Sequence, residues 1–575
     1  MTRPPRLVLL ATVAFGALTA FWSVFTPLTE APDEPAHLGL VYYVVDNGEY
    51  PAYDELQHTE GLFQLCVDFA TSANWCRIDA ERAANAFTRE RPAAEAPSKH
   101  DRVHPDDRDF VRLKPGRMNQ MAQHPPLYYL AMAGAVHVER AVVPGELSVD
   151  TELAYLRLLN ALIVLPLPWL AWLLARRLGA APAVCAAAAL APLGVPQLTH
   201  IGATLNNDNL FVLVASVLMA LLAGVVRGDR SGRTAVLVGL TTGIALLTKG
   251  FGIVLPPVVA AAYLVGAASA GGAAHAPGIW RRRWSATVTA TGAMVVALVV
   301  GGWWYVTNLV TTGHVMPSIE NKRLAISERP PGWRPHFAEY AGSAVARLVE
   351  GFWGAFGWRR VELPTVVSAV ATIICLGVMV VAFRRPRPPD EAAAGPVAAP
   401  GNGHGVPEPA TVPEPPVTRL QLAVLLVPVG LLMAFVLVRS AVIYYDSGRL
   451  AFQQGRYLFA GLTAAIVVLA TGAVRLFGSR AVPITLAFGV LLQAVAVGTC
   501  LHGWWGADGV PFAAWGAVVA WSGWPDPIVI AFLLAPPIPL ALLARAAWHE
   551  HLTLSSPPSS SASRVRPSQL VGAGR

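Results

Sequence analysis

The stretch from Thr29 to Pro51, TEAPDEPAHLGLVYYVVDNGEYP, directly follows the first apolar segment of the chain. Asp33 stands where its side chain can cap exposed helix amides, and Pro35 fits the first turn of a helix. Asn47-Gly48 supplies the left-handed backbone that commonly ends a helix. The stretch therefore predicts a short surface helix beside the membrane.

The two faces of this predicted helix differ in character. The face with the i, i+3, i+4, i+7 spacing of an apolar stripe would lie against lipid and consists of Leu38, Val41, Tyr42 and Val45. Glu34 and His37 lie one turn apart on the other face. Acidic residues beside a membrane segment are costly unless water, a metal ion or a cation receives them, so the Asp33-Glu34 pair indicates a functional site. The alternative is that this pair only stabilises the helix start.

The composition places the chain in a membrane. Hydrophobic residues make up 54% of its 575 residues and charged residues only 14%, whereas a soluble domain carries about a quarter charged residues. The net charge of +7 could suit nucleic acid, but the Lys and Arg residues lie mostly beside apolar segments, where they orient helices. We therefore expect an integral membrane protein and no nucleic-acid partner. No small-residue cleavage site closes the first apolar run, which we interpret as an uncleaved anchor.

Apolar runs of about 17 to 25 residues are long enough to span a bilayer. Twelve such runs lie near 7–28, 156–175, 181–199, 208–226, 233–248, 251–269, 285–307, 363–383, 420–439, 457–474, 481–500 and 527–546. Arg clusters beside them fall on alternate ends, all cytoplasmic if both termini are cytoplasmic. A further span over 125–143 would put every later cluster outside, so we expect that segment, with its two tyrosines, to lie in the membrane interface. If the short fifth and sixth runs fused, the later topology would invert.

These runs predict an all-α polytopic membrane protein of about twelve transmembrane helices, with juxtamembrane helices in a long first extracytoplasmic loop, 29–155. A second outer loop covers 308–362. We predict an N-terminal transmembrane module over 1–385 and C-terminal helices over 419–548. The linker 386–418 and the tail 549–575 are too poor in apolar residues to form a core, so both are predicted to be disordered in the cytoplasm.

The five cysteines fall into two groups. Cys185, Cys375 and Cys500 lie in or at the end of apolar runs and are interpreted as packing residues. Cys66 and Cys76 share the first outer loop, where an oxidising compartment would permit a local disulfide.

Several motifs, by their order and placement, resemble the GT-C superfamily. They are PDEPAH after the first run, HPPLYYL before the second, NNDN at Asn206 to Asn209 and GGWWYVTN at Gly301 to Asn308. FWGAFGW at Phe352 to Trp358 and QGRYLF at Gln454 to Phe459 are more similar to a less characterised bacterial branch assigned to that superfamily. GT-C enzymes are polytopic glycosyltransferases that use polyprenyl-phosphate-linked sugars, among them the protein O-mannosyltransferases and the lipid A aminoarabinose transferase. The similarity extends to about residue 475.

The resemblance implies transfer of a sugar from a lipid phosphate to a hydroxyl acceptor, usually with inversion. Such a reaction needs a base for the acceptor and positive charge for the departing phosphate. It implies that Asp33 is the base, and that Glu34 either orients the acceptor or shares a divalent metal. Asp33 with Asp208 would suit a hard cation such as Mg²⁺ or Mn²⁺, although some relatives work without a metal.

Four residues are candidates for the donor phosphate. His124 stands where the aminoarabinose transferase has the lysine of a Lys-Pro-Pro-Leu motif, and a neutral imidazole binds phosphate less strongly than an ammonium. Arg449 and Arg456 lie at the outer end of the tenth run, where an Arg offers a planar fork to phosphate but can also simply reach the interface. Lys249, between two short runs, would meet the phosphate, a carboxylate or the interface.

The candidates for the acceptor or sugar site are His37, Tyr42, Trp304, Lys322 and Arg323. Lys322 and Arg323 lie in the second outer loop and would either close over the substrate or form a solvated charge run. Trp304 belongs to an aromatic belt by position, and one residue of that belt could stack on a sugar.

Two other functions compete with a glycosyltransferase. A transporter or flippase would carry its charges at mid-bilayer in broken helices, whereas here the acids concentrate at outer loop junctions, and no inverted repeat is evident. A non-catalytic scaffold would need no acid pair at the membrane surface. We therefore expect a plasma (inner) membrane enzyme with both termini cytoplasmic and an extracytoplasmic active site. Its partners would be the bilayer, the lipid-linked donor and a hydroxyl of an envelope glycan, glycolipid or protein.

Overall fold

The computed structural model describes residues 4–68, 113–269, 279–319, 332–384, 417–505 and 511–556. The predicted disulfide between Cys66 and Cys76 and the predicted roles of Lys322 and Arg323 lie outside what is described, as do most of the predicted linker and tail. The described part is an all-α, multi-pass membrane fold, which confirms the predicted fold class.

The helices of the first half are α1 (Arg6–Phe25), α2 (Glu34–Asn47), α3 (Glu60–Asp68), α4 (Leu127–Val142), α5 (Val149–Val164), α6 (Leu167–Arg177), α7 (Pro182–Leu190), α8 (Pro196–Gly202), α9 (Asp208–Val226), α10 (Gly232–Thr248) and α11 (Leu255–Ser269). Those of the second half are α12 (Ile279–Ala297), α13 (Trp303–Thr312), α14 (Phe337–Trp353), α15 (Thr365–Val381), α16 (Arg419–Ser447), α17 (Leu462–Phe477), α18 (Ala481–Trp505), α19 (Pro511–Trp521), α20 (Asp526–Leu533) and α21 (Pro537–Ser555).

Two short antiparallel strand pairs accompany the helices. β1 (Gln57–Thr59) pairs with β2 (Leu113–Met118), and Gln57 lies opposite Met118. β3 (Ala355–Phe356) pairs with β4 (Val361–Glu362), and Ala355 lies opposite Glu362. Short 3-10 turns at Gln120–Gln123 and Gly455–Gly461 contribute to the cavity described below.

Each of the twelve predicted apolar runs coincides with one or two helices. Among the described residues, eight helical segments are long and apolar enough to cross a membrane, or nine if α7 and α8, bent by 67°, form one span. The number twelve is therefore not confirmed. The difference arises because α10 and α15 are shorter apolar helices and because α17 and α18 follow one another with only a 3-10 turn between them.

The helix α1 lies among helices from both ends of the chain and packs against α5, α6, α8, α20 and α21. Its side chains Ala11, Ala14, Phe15, Trp22 and Phe25 have essentially no exposed surface. Lipid is as apolar as leucine, so helices in a membrane associate mainly through close packing and internal hydrogen bonds. The indole nitrogen of Trp22 supplies one such bond by donating to Gln493 Oε1 at 3.1 Å.

Small residues let α10 approach α12 closely. A Cβ added at Gly239 would lie 2.5 Å from the carbonyl O of Ala293, and one at Gly243 would lie 3.0 Å from that of Ala297. A π-helical turn at Leu298–Gly302 then separates α12 from α13. Such turns break the regular helical register, and here α13 continues with Trp304 and Tyr305 against the cavity.

The helix α2 has the predicted bounds but is not a surface helix. Pro35 lies in its first turn, and Gly48 ends it with φ +69°. However, Leu38, Val41 and Tyr42, predicted to face lipid, are buried by protein. The 3-10 turn Gln120–Gln123, α3 and α4 cover the helix. Because these segments follow α2 in the chain, the pattern within α2 could not reveal them.

The helix α4 covers most of the segment predicted to lie in the interface. Its tyrosines were expected at the membrane surface, but Tyr128 and Tyr129 are completely buried. The Tyr128 hydroxyl donates to Asn160 Oδ1 at 3.0 Å, and the Tyr129 hydroxyl lies 2.9 Å from His37 Nδ1. Buried hydroxyls need such partners, and these join α4 to α5 and α2.

Candidate active site

A cavity of about 340 Å³ opens at the start of α2. The turn between α10 and α11, the 3-10 turn Gly455–Gly461, α13 and the middle of α16 form its other walls. Its charged and polar lining consists of Asp33, His37, Gln120, Gln123, His124, Asn206, Asn207, Lys249, Tyr305, Asn308, Ser318, Arg439, Gln454, Arg456 and Tyr457. The site thus combines residues from both sides of the predicted linker.

A close backbone contact places Arg456 in the cavity wall. A Cβ at Gly351 of α14 would lie 2.7 Å from the amide N of Gly455, and one at Gly455 would overlap Leu348 O and Phe352 N. Only glycine permits this approach of the 3-10 turn to α14. The contact brings together the FWGAFGW and QGRYLF regions, which the sequence analysis identified as two separate motifs.

The Arg456 side chain is only 4% exposed, and part of its hydrogen-bonding capacity is unused. Nη2 donates to Asp33 Oδ2 at 3.1 Å. Nε lies 3.6 Å from Asp208 Oδ2, too far for a hydrogen bond. Nε and Nη1 are both buried without a hydrogen-bond partner among the described residues. Unsatisfied buried donors are costly, so this guanidinium is suited to an additional anionic partner.

Asp33 presents its carboxylate to the cavity and does not cap α2, contrary to the prediction. Its backbone is left-handed, with φ +63°, a conformation that Asp and Asn tolerate better than most other residues. This geometry directs the carboxylate to Arg456 and to Gln120 Nε2, which donates to Oδ1 at 3.2 Å. Asp33 therefore retains acceptor capacity on the cavity side.

Lys249 makes the carboxylate contact that was one of its three predicted alternatives. Its ammonium lies 2.5 Å from Asp208 Oδ1 and donates to Asn207 Oδ1 at 3.2 Å. The aromatic rings of Phe251 and Tyr457 lie 5.3 and 5.4 Å away, within cation–π range. Lys249 lines the cavity, and Asp208 stands behind it as its counter-ion.

The predicted metal site at Asp33 and Asp208 is not supported. Each carboxylate faces a cation, Arg456 in one case and Lys249 in the other. Within the described ranges, no group of three or more His, Cys, Asp or Glu side chains is placed to hold a metal ion. A hard divalent cation requires several oxygen ligands, and the positive charges already present oppose its binding.

Glu34 lies away from the cavity in a buried ion pair. Arg157 of α5 contacts it at two points, with Nε 2.8 Å from Oε1 and Nη2 2.6 Å from Oε2. The same guanidinium donates to the carbonyl oxygens of Ser23, Thr26 and Pro27. Arg157 thus fixes the chain between α1 and α2. Sequence reasoning missed it, although a cation at the second position of an apolar run was a signal.

The two histidines predicted at the site both line the cavity. Burial, with the nearby His124, Lys249 and Arg456, holds the pKa of His37 well below its usual range. Burial, with the charge of Lys249, lowers the pKa of His124 to about 3. His124 is therefore neutral and, unlike lysine, cannot supply positive charge to a phosphate. It can only donate or accept a hydrogen bond.

The remaining predicted residues separate into two groups. Trp304 lines the cavity, with its ring 5.6 Å from that of Tyr50. Tyr42 and Arg449 do not line it. The Tyr42 hydroxyl donates instead to Glu152 Oε2 at 2.7 Å, and Arg449 is exposed beyond the end of α16.

Sequence reasoning also missed Arg439, which lines the cavity from within α16 and donates to Ser318 Oγ at 3.3 Å. A cation inside an otherwise apolar helix was the available signal. Gln120 and Asn207, which contact Asp33 and Lys249, carried no such signal. Together the cavity presents three cations, one carboxylate and neutral hydrogen-bonding groups. This set can bind an anionic group beside a proton acceptor.

The sequence matches the family described as "Predicted membrane protein (DUF2142)" over residues 16–465. The chain belongs to this family. The DUF2142 chain has no match among curated proteins.

The DUF2142 chain is also similar to solved structures. ArnT from Cupriavidus metallidurans bound to undecaprenyl phosphate is 16% identical, with a TM-score of 0.40 over 94% of this chain and 77% of that one. Its apo state gives 17% identity and a TM-score of 0.44, over 94% and 74%. The Archaeoglobus fulgidus oligosaccharyltransferase is 12% identical, with a TM-score of 0.38, over 94% and 56%. Both are GT-C enzymes.

Proposed function

We propose that this DUF2142 protein is a membrane glycosyltransferase that moves a sugar from a polyprenyl-phosphate donor to a hydroxyl acceptor, with inversion. The observation that carries the proposal is the pairing of Asp33 with Arg456 at the cavity. A carboxylate able to accept a proton lies beside a buried guanidinium whose Nε and Nη1 have no hydrogen-bond partner in the described part of the chain. Sugar transfer from a lipid phosphate needs both kinds of group.

In the proposed reaction Asp33 takes the proton of the acceptor hydroxyl. The acceptor oxygen forms a bond to the anomeric carbon of the sugar while the bond from that carbon to the phosphate oxygen breaks. The electron pair of the broken bond stays on the phosphate, and the proton on Asp33 later passes to solvent. No cofactor takes part in this balance. General-base catalysis of this kind typically contributes about a hundred- to ten-thousand-fold.

Arg456 and Lys249 would hold the negative charge that develops on the phosphate. Both line the cavity, and the Arg456 fork can offer two parallel hydrogen bonds to phosphate oxygens. Arg439, the third cation of the lining, would bind the phosphate or the sugar from the α16 side. His124 would act as a neutral hydrogen-bonding residue.

The sugar and the acceptor would lie toward His37 and Trp304. His37 is held by its contact with Tyr129, and Trp304 by its ring contact with Tyr50. An aromatic face can pack against the apolar side of a sugar ring, and a neutral imidazole can bond its hydroxyls. We propose that Glu34 positions Asp33 through the backbone, because Arg157 occupies both of its oxygens.

We further propose that the cavity faces the extracytoplasmic side of the plasma membrane and that both termini are cytoplasmic. The alternation of Arg clusters along the chain supports this orientation. Membrane carriers with a phosphate headgroup would then reach the cavity from the outer leaflet, where acceptors of the cell envelope are located.

Purified protein in lipid nanodiscs, supplied with polyprenyl-phosphate sugars and envelope acceptors, tests the proposal. Wild-type protein should form product, and Asp33→Asn should lower turnover by about a hundredfold or more. Asp229→Asn, which alters a carboxylate of the loop after α9, is the matched control and should retain turnover. In cells, a deletion strain should accumulate one polyprenyl-phosphate sugar, which would identify the donor. Unchanged lipid-linked sugars, together with turnover in Asp33→Asn close to wild type, would contradict the proposal.

A further inference from the structure

We infer that Arg456 is shared between Asp33 and the donor phosphate, so that donor binding withdraws Arg456 from Asp33 and releases that carboxylate to act as base. The inference rests on the proposed function and adds that the donor binds before Asp33 can act as base. Asp33 and the phosphate compete for one guanidinium. The site therefore becomes active only after the donor has bound.

The geometry of Arg456 supports an exchangeable contact. Its contact with Asp33 is a single hydrogen bond of 3.1 Å. Arg157, in contrast, donates two hydrogen bonds to Glu34, from Nε at 2.8 Å and from Nη2 at 2.6 Å. It also donates to three backbone carbonyl oxygens. Two-point contacts between arginine and an oxyanion are the stronger kind. The Arg157–Glu34 pair is thus firmly held and the Arg456–Asp33 pair is loosely held, and both Arg456 and Asp33 line the cavity.

The unused donors of Arg456 allow a phosphate to replace Asp33 as its partner. Nε and Nη1 have no hydrogen-bond partner among the described residues, although the side chain is 96% buried. A phosphate offers several oxygens and can accept two bonds from the guanidinium fork. A phosphate would therefore compete effectively with Asp33, whose carboxylate accepts only one hydrogen bond from Arg456.

The surroundings hold the other charges in place during such an exchange. Asp208, 3.6 Å from Arg456 Nε, remains near the guanidinium whichever partner it takes. Lys249 is bonded to Asp208 and Asn207 and is less free to move. Asp33 keeps its neutral contact with Gln120 when Arg456 leaves. A carboxylate that loses a neighbouring cation binds a proton more strongly, which is the property a base requires.

The inference predicts an unusual combination of effects for Asp33→Asn. Removing the negative charge removes the competitor, so the anionic lipid should bind more tightly even though turnover is lost. A residue with only a structural role would lower both quantities. Asn is suited to this position because it also tolerates the left-handed backbone seen at Asp33.

A double-mutant cycle with undecaprenyl phosphate as the probe tests the inference. Binding to detergent-purified protein would be measured for wild type, Asp33→Asn, Arg456→Ala and the double variant. We expect Asp33→Asn to bind about 3- to 30-fold more tightly and Arg456→Ala about tenfold or more weakly. The double variant should bind like Arg456→Ala alone, because Asp33 acts through Arg456. Asp33→Glu, which keeps the charge, should show no gain, and Asp229→Asn should bind like wild type.

Three results would overturn the inference, and they differ from one another. Equal or weaker binding by Asp33→Asn would show that Asp33 does not compete with the phosphate. A gain that persists in the Arg456→Ala background would show that Asp33 repels the lipid directly and does not share Arg456. Absence of binding by wild-type protein would refute the donor class itself, and with it the proposed function.

Discussion

Arg157 and Glu34 form a two-point ion pair between α5 and the start of α2, with contacts of 2.8 and 2.6 Å and almost no exposure of either side chain. Glu34, the second residue of the acid pair that indicated a functional site, therefore has a structural role and holds the start of α2 against α5. Its neighbour Asp33 is left at the cavity. Two adjacent carboxylates thus have different surroundings.

Replacing one member of this pair should destabilise the protein. Glu34→Gln leaves the Arg157 charge buried without its partner, which typically costs about 3–5 kcal/mol. Thermal unfolding in detergent and the yield of folded protein would measure the loss. The double variant Glu34→Gln/Arg157→Met removes both charges and should regain part of the stability. Normal stability of Glu34→Gln with selectively lost turnover would instead place Glu34 in the chemistry.

Gly455→Ala should displace Arg456 from the cavity. The added methyl group would overlap Leu348 O and Phe352 N of α14, and overpacking of this kind costs about 1–3 kcal/mol. We expect weaker binding of undecaprenyl phosphate in the fraction of protein that folds. Gly342→Ala on α14 is the control, because a Cβ added at Gly342 meets no atom within 4 Å. Equal lipid binding by both variants would show that this contact does not position Arg456.

The stability of the protein should fall as the pH is lowered from about 7 toward 4. In the unfolded chain His124 takes up a proton near its ordinary pKa of 6.5, whereas in the folded protein its pKa is about 3. Between those values the unfolded state binds more protons, so acid favours unfolding, by up to about 1.4 kcal/mol per pH unit for this residue.

His124→Asn should therefore flatten the dependence of the unfolding temperature on pH. His549→Asn, on the exposed face of α21, should leave that dependence as in wild type. The same slope in His124→Asn and wild type would mean that the imidazole titrates alike in the folded and unfolded chains.

The proposed orientation predicts which loops a membrane-impermeant thiol reagent reaches in intact cells. Single cysteines introduced into a variant without native cysteines should react at Glu55, before β1, and remain protected at Asp229. Protection at Asp229 is expected because the Arg clusters place the loop after α9 in the cytoplasm. Labelling at Asp229 with protection at Glu55 would invert the topology and put the cavity on the cytoplasmic side.

The lengths of the apolar runs and the local backbone preferences were enough to predict, from the sequence alone, a multi-pass membrane protein and the positions of its helices. Each predicted apolar run falls on helix, because spanning length is a property of consecutive residues. The ends of α2 followed in the same way from Pro35 and Gly48, whose backbone preferences act locally. The acid at position 33, the cation at 249 and the arginine at 456 were likewise visible as unusual charges.

Only the tertiary structure decided what each charge does. Glu34 and Arg157 are 123 residues apart, and Asp33 and Arg456 are 423 apart. No local spacing indicates which of two adjacent carboxylates will meet which arginine. α2 was likewise predicted at the surface because the segments that cover it come from later in the chain. The energy of a buried charge depends on its partners in space, and those partners are fixed by how distant helices and turns pack.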